Sequence, residues 1–215
     1  LPGPARRGRP RAWPLRLLVN ALCSVLRTGC AWRALPREYP PWQTASTTFR
    51  QWRRPGVWPC VHEALRRAVR LRAGRHADPS AAIMDSQRVK TTEASDGIKG
   101  YDGGQQVKGR KRHILVDTLG LRLSVDVTPA PTSDQVGARR LRIGLKPLHP
   151  RLERIWADGS SRGEPLAPWC AAEGAWRLEI ITPTPHVKGF VVRPWCWIVE
   201  RTLGWLGRQR RLSKD

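Results

Sequence analysis

Residues 152–161 read Leu152-Glu153-Arg154-Ile155-Trp156-Ala157-Asp158-Gly159-Ser160-Ser161. Leu152, Ile155 and Trp156 make a short apolar strand that delivers Asp158 into a glycine turn. A carboxylate at the exit of a buried strand is held by rigid backbone, as a metal ligand must be. Two partners fit it. Asp85 follows the apolar run Ala81-Ala82-Ile83-Met84, and Glu200 sits in Trp197-Ile198-Val199-Glu200-Arg201, inside a predicted helix. Three carboxylates on separate elements can hold two divalent metals, the arrangement that cuts and joins phosphodiesters. One acid near a strand end is more readily explained as solvated or as a helix N-cap, so the surrounding residues carry the weight.

The 215 residues suffice for one sizeable core and a small second domain. A net charge of +22 repels itself unless a polyanion screens it, with nucleic acid the first candidate and an anionic membrane surface the second. The excess is uneven. Residues 1–75 hold 16 Arg against only Glu38 and Glu63, whereas the acids gather in the remainder. The front third therefore reads as a polyanion-binding module. Five cysteines, odd in number and without a CxxC pair, match no zinc spacing with the scattered histidines and imply reduced thiols. The apolar stretch 15–26 is too short for a membrane span and contains Arg16 and Asn20. No signal peptide is expected, because the basic N-terminus lacks an apolar h-region.

Arg7-Gly8-Arg9-Pro10-Arg11 resembles a minor-groove hook. Leu15, Leu18, Val19, Leu22, Val25 and Leu26 predict an amphipathic helix that Thr28-Gly29 closes. A second helix is expected over 44–53 with Thr44 as N-cap. A third begins near Pro59, with Val61, Ala64, Leu65, Ala68 and Val69 as its apolar face and Arg66, Arg67, Arg70 and Arg72 on its polar part. Three short Arg-rich helices suit a helix-turn-helix-like DNA binder, in which Arg50, Arg53 and Arg54 are candidate contacts and the tryptophans belong to the core. A helical bundle merely solvated by its arginines is the alternative.

Beyond a boundary at 75–80, Lys108-Gly109-Arg110-Lys111-Arg112 places four cations beside the proposed metal site, where they suit a phosphate backbone; a solvated basic loop is the other reading. Strands are expected at 113–117 and 121–127, joined by Thr118-Leu119-Gly120. A helix over 133–145 should bury Ala138, Leu141 and Leu145. Strands at 152–157 and 176–181 follow, then a loop at 183–189. A final helix should have Val199, Leu203 and Leu206 as its apolar face. This order fits a mixed α/β sheet of the ribonuclease-H kind. At 100° per residue, Arg211 would project about 20° from Glu200 and Lys214 about 40° to the other side, so the same helix would carry cations toward DNA.

Several of these motifs agree, in order, with a known family. Asp85-Ser86-Gln87-Arg88-Val89-Lys90-Thr91-Thr92-Glu93, the run from Lys108 through Asp117-Thr118-Leu119-Gly120, Trp156-Ala157-Asp158-Gly159, and Val199-Glu200-Arg201-Thr202 with Trp205-Leu206-Gly207-Arg208 resemble a DDE insertion-sequence transposase, in the IS-five group of the IS-four superfamily. Residues 22–52, with Arg27-Thr28-Gly29-Cys30-Ala31-Trp32-Arg33 and Phe49-x-x-Trp52, resemble that family's N-terminal DNA-binding region. The resemblance implies a helical DNA-binding domain over 1–75 and a ribonuclease-H-like catalytic domain over 76–215. It implies Asp85, Asp158 and Glu200 as catalytic and metal-binding triad for two Mg²⁺ ions, with Mn²⁺ as a substitute. It implies cleavage and strand transfer by water and then a 3′-hydroxyl, and double-stranded DNA, at inverted repeats and target, as partner. A homo-oligomer on DNA, a bacterial cytoplasmic, nucleoid-associated location and no membrane association complete it. DNA contacts would further include Lys108, Arg110, Lys111, Arg112, Arg201, Arg208, Arg211 and Lys214.

The chain departs from the family pattern in places. Cys196 stands four residues before Glu200 where the family usually has Arg, and cysteine cannot make a bidentate phosphate contact. Ser161 stands where a Tyr is usual, and the chain is expected to be clipped at both ends relative to the family. Two other functions therefore stay open: a catalytically impaired DNA-binding remnant that occupies the repeats, and a general basic RNA- or ribosome-associated protein, against which the three ordered acids argue.

Overall fold

The apolar spacing that starts at Leu15 winds into α1 (Leu15–Thr28), and Gly29 ends it in the left-handed region at φ 72°, its N–H on the Val25 carbonyl at 3.0 Å. The computed structural model describes residues 11–53, 56–92, 97–142, 145–158, 166–181 and 195–213. Residues 7–10 of the hook, Arg54, Ser161, the expected loop at 183–189 and Lys214 lie outside them. Two units emerge: one comprises residues up to Val69 together with Gly207–Ser213, the other Arg70–Leu206. The division falls a few residues before the expected boundary, and the C-terminal segment groups with the helical unit.

In that unit α1 packs with α2 (Trp42–Arg53) and the start of α3 (Val57–Arg72). α2 begins at Trp42, two residues before the expected cap, with Ala45 N–H on the Pro41 carbonyl. Leu18, Ala21, Leu22, Ala45 and Trp52 form the core, and Trp32, Tyr39 and Trp58 close over it. Trp52 meets Trp58 edge-on at 5.6 Å, so these indoles serve packing. The expected orientation of α3 is overturned. Leu65 (61% exposed) and Val69 (45%) face outward, while Arg66 (2%) and Arg70 (4%) are buried. The reason is ion pairing: Arg66 forks onto Glu63, and Arg70 donates to Asp117 at 2.6 Å and to the His76 carbonyl at 2.8 Å.

The second unit is a mixed six-stranded sheet. β1 (Ala81–Lys90) runs antiparallel to β3 (Val107–Asp117), and β3 pairs with β4 (Arg122–Pro129) and with the short β2 (Gly100–Asp102). On the other side β1 is parallel to β5 (Arg154–Asp158), which is parallel to β6 (Arg177–Ile181). The order β4-β3-β1-β5-β6 is that of a ribonuclease-H-like sheet. Helices α4 (Asp134–Arg142) and α5 (Leu145–Leu148) connect β4 to β5, and α6 (Leu166–Gly174), which the sequence pattern did not announce, connects β5 to β6. One face of the sheet (Ala82, Met84, Leu115, Ile155, Ala157) packs on Ala138, Leu141, Leu145 and Cys170. The other (Ile83, Ile114, Val116, Trp156) packs on Ile198, Val199, Leu203 and Leu206 of α7 (Cys196–Gly207). The final helix does not run on to Arg211. It stops at Gly207, and α8 (Arg210–Ser213) is a separate turn whose Arg211 donates to the Cys30 carbonyl at 2.8 Å. The expected alignment of Arg211 with Glu200 on one helix is therefore lost.

Candidate active site

β1 does not end at Asp85, as its apolar run suggested, but continues to Lys90 because β3 pairs with it throughout. The parallel ladder between β1 and β5 does end there: its last rung is Met84 against Ala157, and Asp85 and Asp158 are the next residues on adjacent strands. Side chains alternate across a sheet. Met84 and Ala157 belong to the α4 face, so Asp85 and Asp158 belong with Ile83 and Trp156 to the face that α7 covers. α7 carries Glu200, which is exposed. The carboxylates of Asp158 and Glu200 both act on Asp85. Parallel strands that open at their carboxyl ends make a crevice in sheets of this kind.

Burial, partly offset by the Ser86 N–H on its Oδ1 at 2.7 Å, pushes the Asp85 carboxyl up to about 7, and the charges of Asp158, Glu200 and Asp134 push it the same way. A desolvated carboxylate among like charges is electrostatically unsatisfied, and a divalent cation relieves both effects. The donors are all carboxylate oxygens, which suit Mg²⁺ or Mn²⁺. The residues fit such an ion in chemistry and in placement on one face. Among the described residues, however, no three His, Cys, Asp or Glu side chains are assembled into a finished ion cage.

Strand alternation also sorts the basic run, which lies in β3 and not in a loop. Lys108, Arg110 and Arg112 share the α7-side face with Ile114 and Val116; Lys108 is exposed and the two arginines are half-buried. Lys111 faces the other way. Its side chain is 1% exposed, pairs with Asp134 at 2.8 Å and donates to the Thr132 carbonyl, so the expectation that it contacts DNA is corrected. Arg201 lies between Trp197 and Trp205, 4.9 and 4.7 Å from their ring centres, and donates to the Leu119 carbonyl. Arg208 is exposed, in the turn after α7, and Arg50 and Arg53 are exposed on α2. Cys196, expected to mark a phosphate-facing position, is 5% exposed at the first residue of α7.

Two features escaped the sequence reading. Ser86 donates to Asp134 at 2.6 Å, and Asp134 also holds the buried Lys111, so a half-buried polar group braces β1 next to Asp85. Burial alone would raise the Asp134 carboxyl, but Lys111 and Ser86 outweigh it and hold it below the usual carboxylate range. Trp195 stacks on Trp156 at 5.0 Å, and Trp156 donates to Glu179 at 2.7 Å. The Ser86–Asp134 separation of 48 residues gives no local signal for the first.

Residues 76–215 match the family described as "Transposase DDE domain", and residues 1–62 match one of IS4/5-family transposases. The insertion element IS402 uncharacterized 16.2 kDa protein of Burkholderia cepacia is 34% identical over 101 residues, covering 45% of this chain and 67% of that protein. Solved structures with a similar course include the HTLV-2 integrase catalytic core domain in complex with magnesium (14% identity, 60% of this chain, 68% of that chain, TM-score 0.39). Another is the Mos1 transposase paired-end complex with left transposon end (10% identity, 80% of this chain, 61% of that chain, TM-score 0.32). No described helix is long and apolar enough to cross a membrane.

Proposed function

The chain belongs to the DDE transposase family, enzymes of DNA transposition, and from that premise we propose that it binds terminal inverted repeats and performs metal-dependent strand cleavage and strand transfer at Asp85, Asp158 and Glu200. One observation carries the reading: Asp85 and Asp158 follow the last rung of a parallel ladder, on the face covered by the helix that bears Glu200. The three side chains would hold two Mg²⁺ ions, or Mn²⁺. When bound, these supply a polarised phosphoryl centre and an activated attacking oxygen.

The protein's own contribution is placement and charge. Asp85, half-buried and with its carboxyl pushed up to about 7, would release any proton it holds when the site fills. Lys108, Arg110 and Arg112, on the same sheet face, hold the phosphates on either side of the scissile bond. Arg50 and Arg53 on α2, with Arg208, add sequence-independent phosphate contacts. More than one copy acts on the paired element ends. A second reading, a DNA-binding remnant impaired in cleavage, is favoured by Cys196, which offers no cation where the family pattern has Arg.

The test is nicking of duplexes that carry the repeats bracketing the gene, with Mg²⁺ or Mn²⁺. Cleavage at the repeat end that is lost in Asp85→Asn, Asp158→Asn and Glu200→Gln supports the first reading. Retained repeat binding without nicking supports the second. Neither binding nor nicking would overturn both.

A further inference from the structure

Two motifs of the sequence, Val199-Glu200-Arg201-Thr202 and Asp117-Thr118-Leu119-Gly120, meet in the fold, and the metal-site reading uses only Glu200 of them. Thr202 on α7 is buried, and its Oγ1 lies 3.0 Å from the Gly120 carbonyl and 3.1 Å from that of Ile198. Arg201 donates to the Leu119 carbonyl at 3.0 Å. Consecutive residues of α7 thus hold consecutive carbonyls of the β3–β4 turn.

The turn is itself rigid. Asp117 Oδ1 accepts the N–H groups of Leu119 and Leu121, both at 2.9 Å, and its Oδ2 accepts Arg70 at 2.6 Å. Gly120 sits at φ +83°, and a Cβ there would stand 2.8 Å from Thr202 Oγ1 and 3.0 Å from Arg201. Only glycine lets the turn and the helix approach so closely. Trp197 and Trp205, one turn before and one after, sandwich the Arg201 guanidinium and restrict its rotamers. Apolar packing of Val199 and Leu203 keeps α7 on the sheet but resists sliding weakly; directional hydrogen bonds to a fixed turn set its register.

We propose that Arg201 and Thr202 are positioning residues, which by latching α7 to the β3–β4 turn fix the place of Glu200 relative to Asp85 and Asp158. The proposal rests on the metal-site reading and adds to it the device that sets the third ligand. It also removes Arg201 from the set of DNA contacts.

The experiment is Mn²⁺ binding to the full chain, by calorimetry well below the melting temperature, for wild type, Asp85→Asn, Thr202→Val, Thr202→Ser, Glu200→Gln and the double variant Thr202→Val/Glu200→Gln. Losing a group that orients a metal ligand typically weakens metal affinity by about 10–100-fold. Thr202→Val should show a loss in that range and Thr202→Ser should restore affinity, since serine keeps the hydroxyl. In the Glu200→Gln background Thr202→Val should add nothing, because the latch acts through Glu200. Unchanged affinity in Thr202→Val, or an equal loss with and without Glu200, overturns the latch and leaves the metal site standing. Binding that is the same in wild type and Asp85→Asn overturns the metal-site reading, and the latch with it.

Discussion

Asp85 and Asp158 are the first residues beyond the last shared rung of two parallel strands, so the sheet opens where its two carboxylates stand side by side. A carboxylate pair at that position is costly without a cation, and the cost can be measured.

For Asp85 the folded protein raises the carboxyl from 3.8 to about 7. The folded state then binds this proton more tightly than the unfolded state. Its contribution to stability is fully present below about pH 4 and is lost as pH rises through about 7. At about 1.4 kcal/mol per unit, the metal-free cost at pH 8 is at most about 4 kcal/mol. Urea unfolding in a chelator should show Asp85→Asn more stable than wild type at pH 8, with the gap shrinking as pH falls and closing only near pH 4. A gap that does not vary with pH would contradict the assignment.

The buried Arg70–Asp117 pair makes the opposite prediction. Both side chains are almost fully buried, at 5% and 0% exposure. Removing one partner strands the other charge, so Arg70→Met should cost about 3–5 kcal/mol in denaturant unfolding. A loss below about 1 kcal/mol would mean that Asp117 is satisfied by its turn N–H groups alone.

Lys108 and Lys111 lie three residues apart and should respond differently. Lys108→Ala should weaken duplex binding across sequences and reduce the slope of log affinity against log salt by about 1. Lys111→Met should leave that slope unchanged and lower the melting temperature, because it strands Asp134. Equal slopes for both variants would place DNA elsewhere than on this strand face.

What could be read from the chain follows from what is local. The apolar runs around Asp85 and Asp158 and the 3.6-residue spacing of Val199 and Leu203 depend on neighbours in sequence, so the strands, the last helix and the sheet class were legible. Lys111 departs from the sequence expectation because a basic run reads as one surface, whereas a strand sends alternate side chains to opposite faces. α3 was misjudged for a similar reason. Its apolar stripe is real, but Arg70 answers to Asp117, 47 residues away, and no helical period records that. α6 was missed because its apolar residues, Trp169, Cys170, Ala171 and Ala172, show no helical alternation, and Pro168 argues against it. The break after Gly207 carried a composition cue, a second glycine three residues after Gly204, that projection along an ideal helix ignores.

The most direct measurement is the anomalous difference density of Mn²⁺ in crystals of the full chain, compared with Asp85→Asn crystals soaked identically. Mn²⁺ density bounded by the Asp85, Asp158 and Glu200 carboxylates is expected in the wild type and should be lost from that place in the variant. Ordered carboxylates with no density between them, or density that persists unchanged in Asp85→Asn, would contradict it.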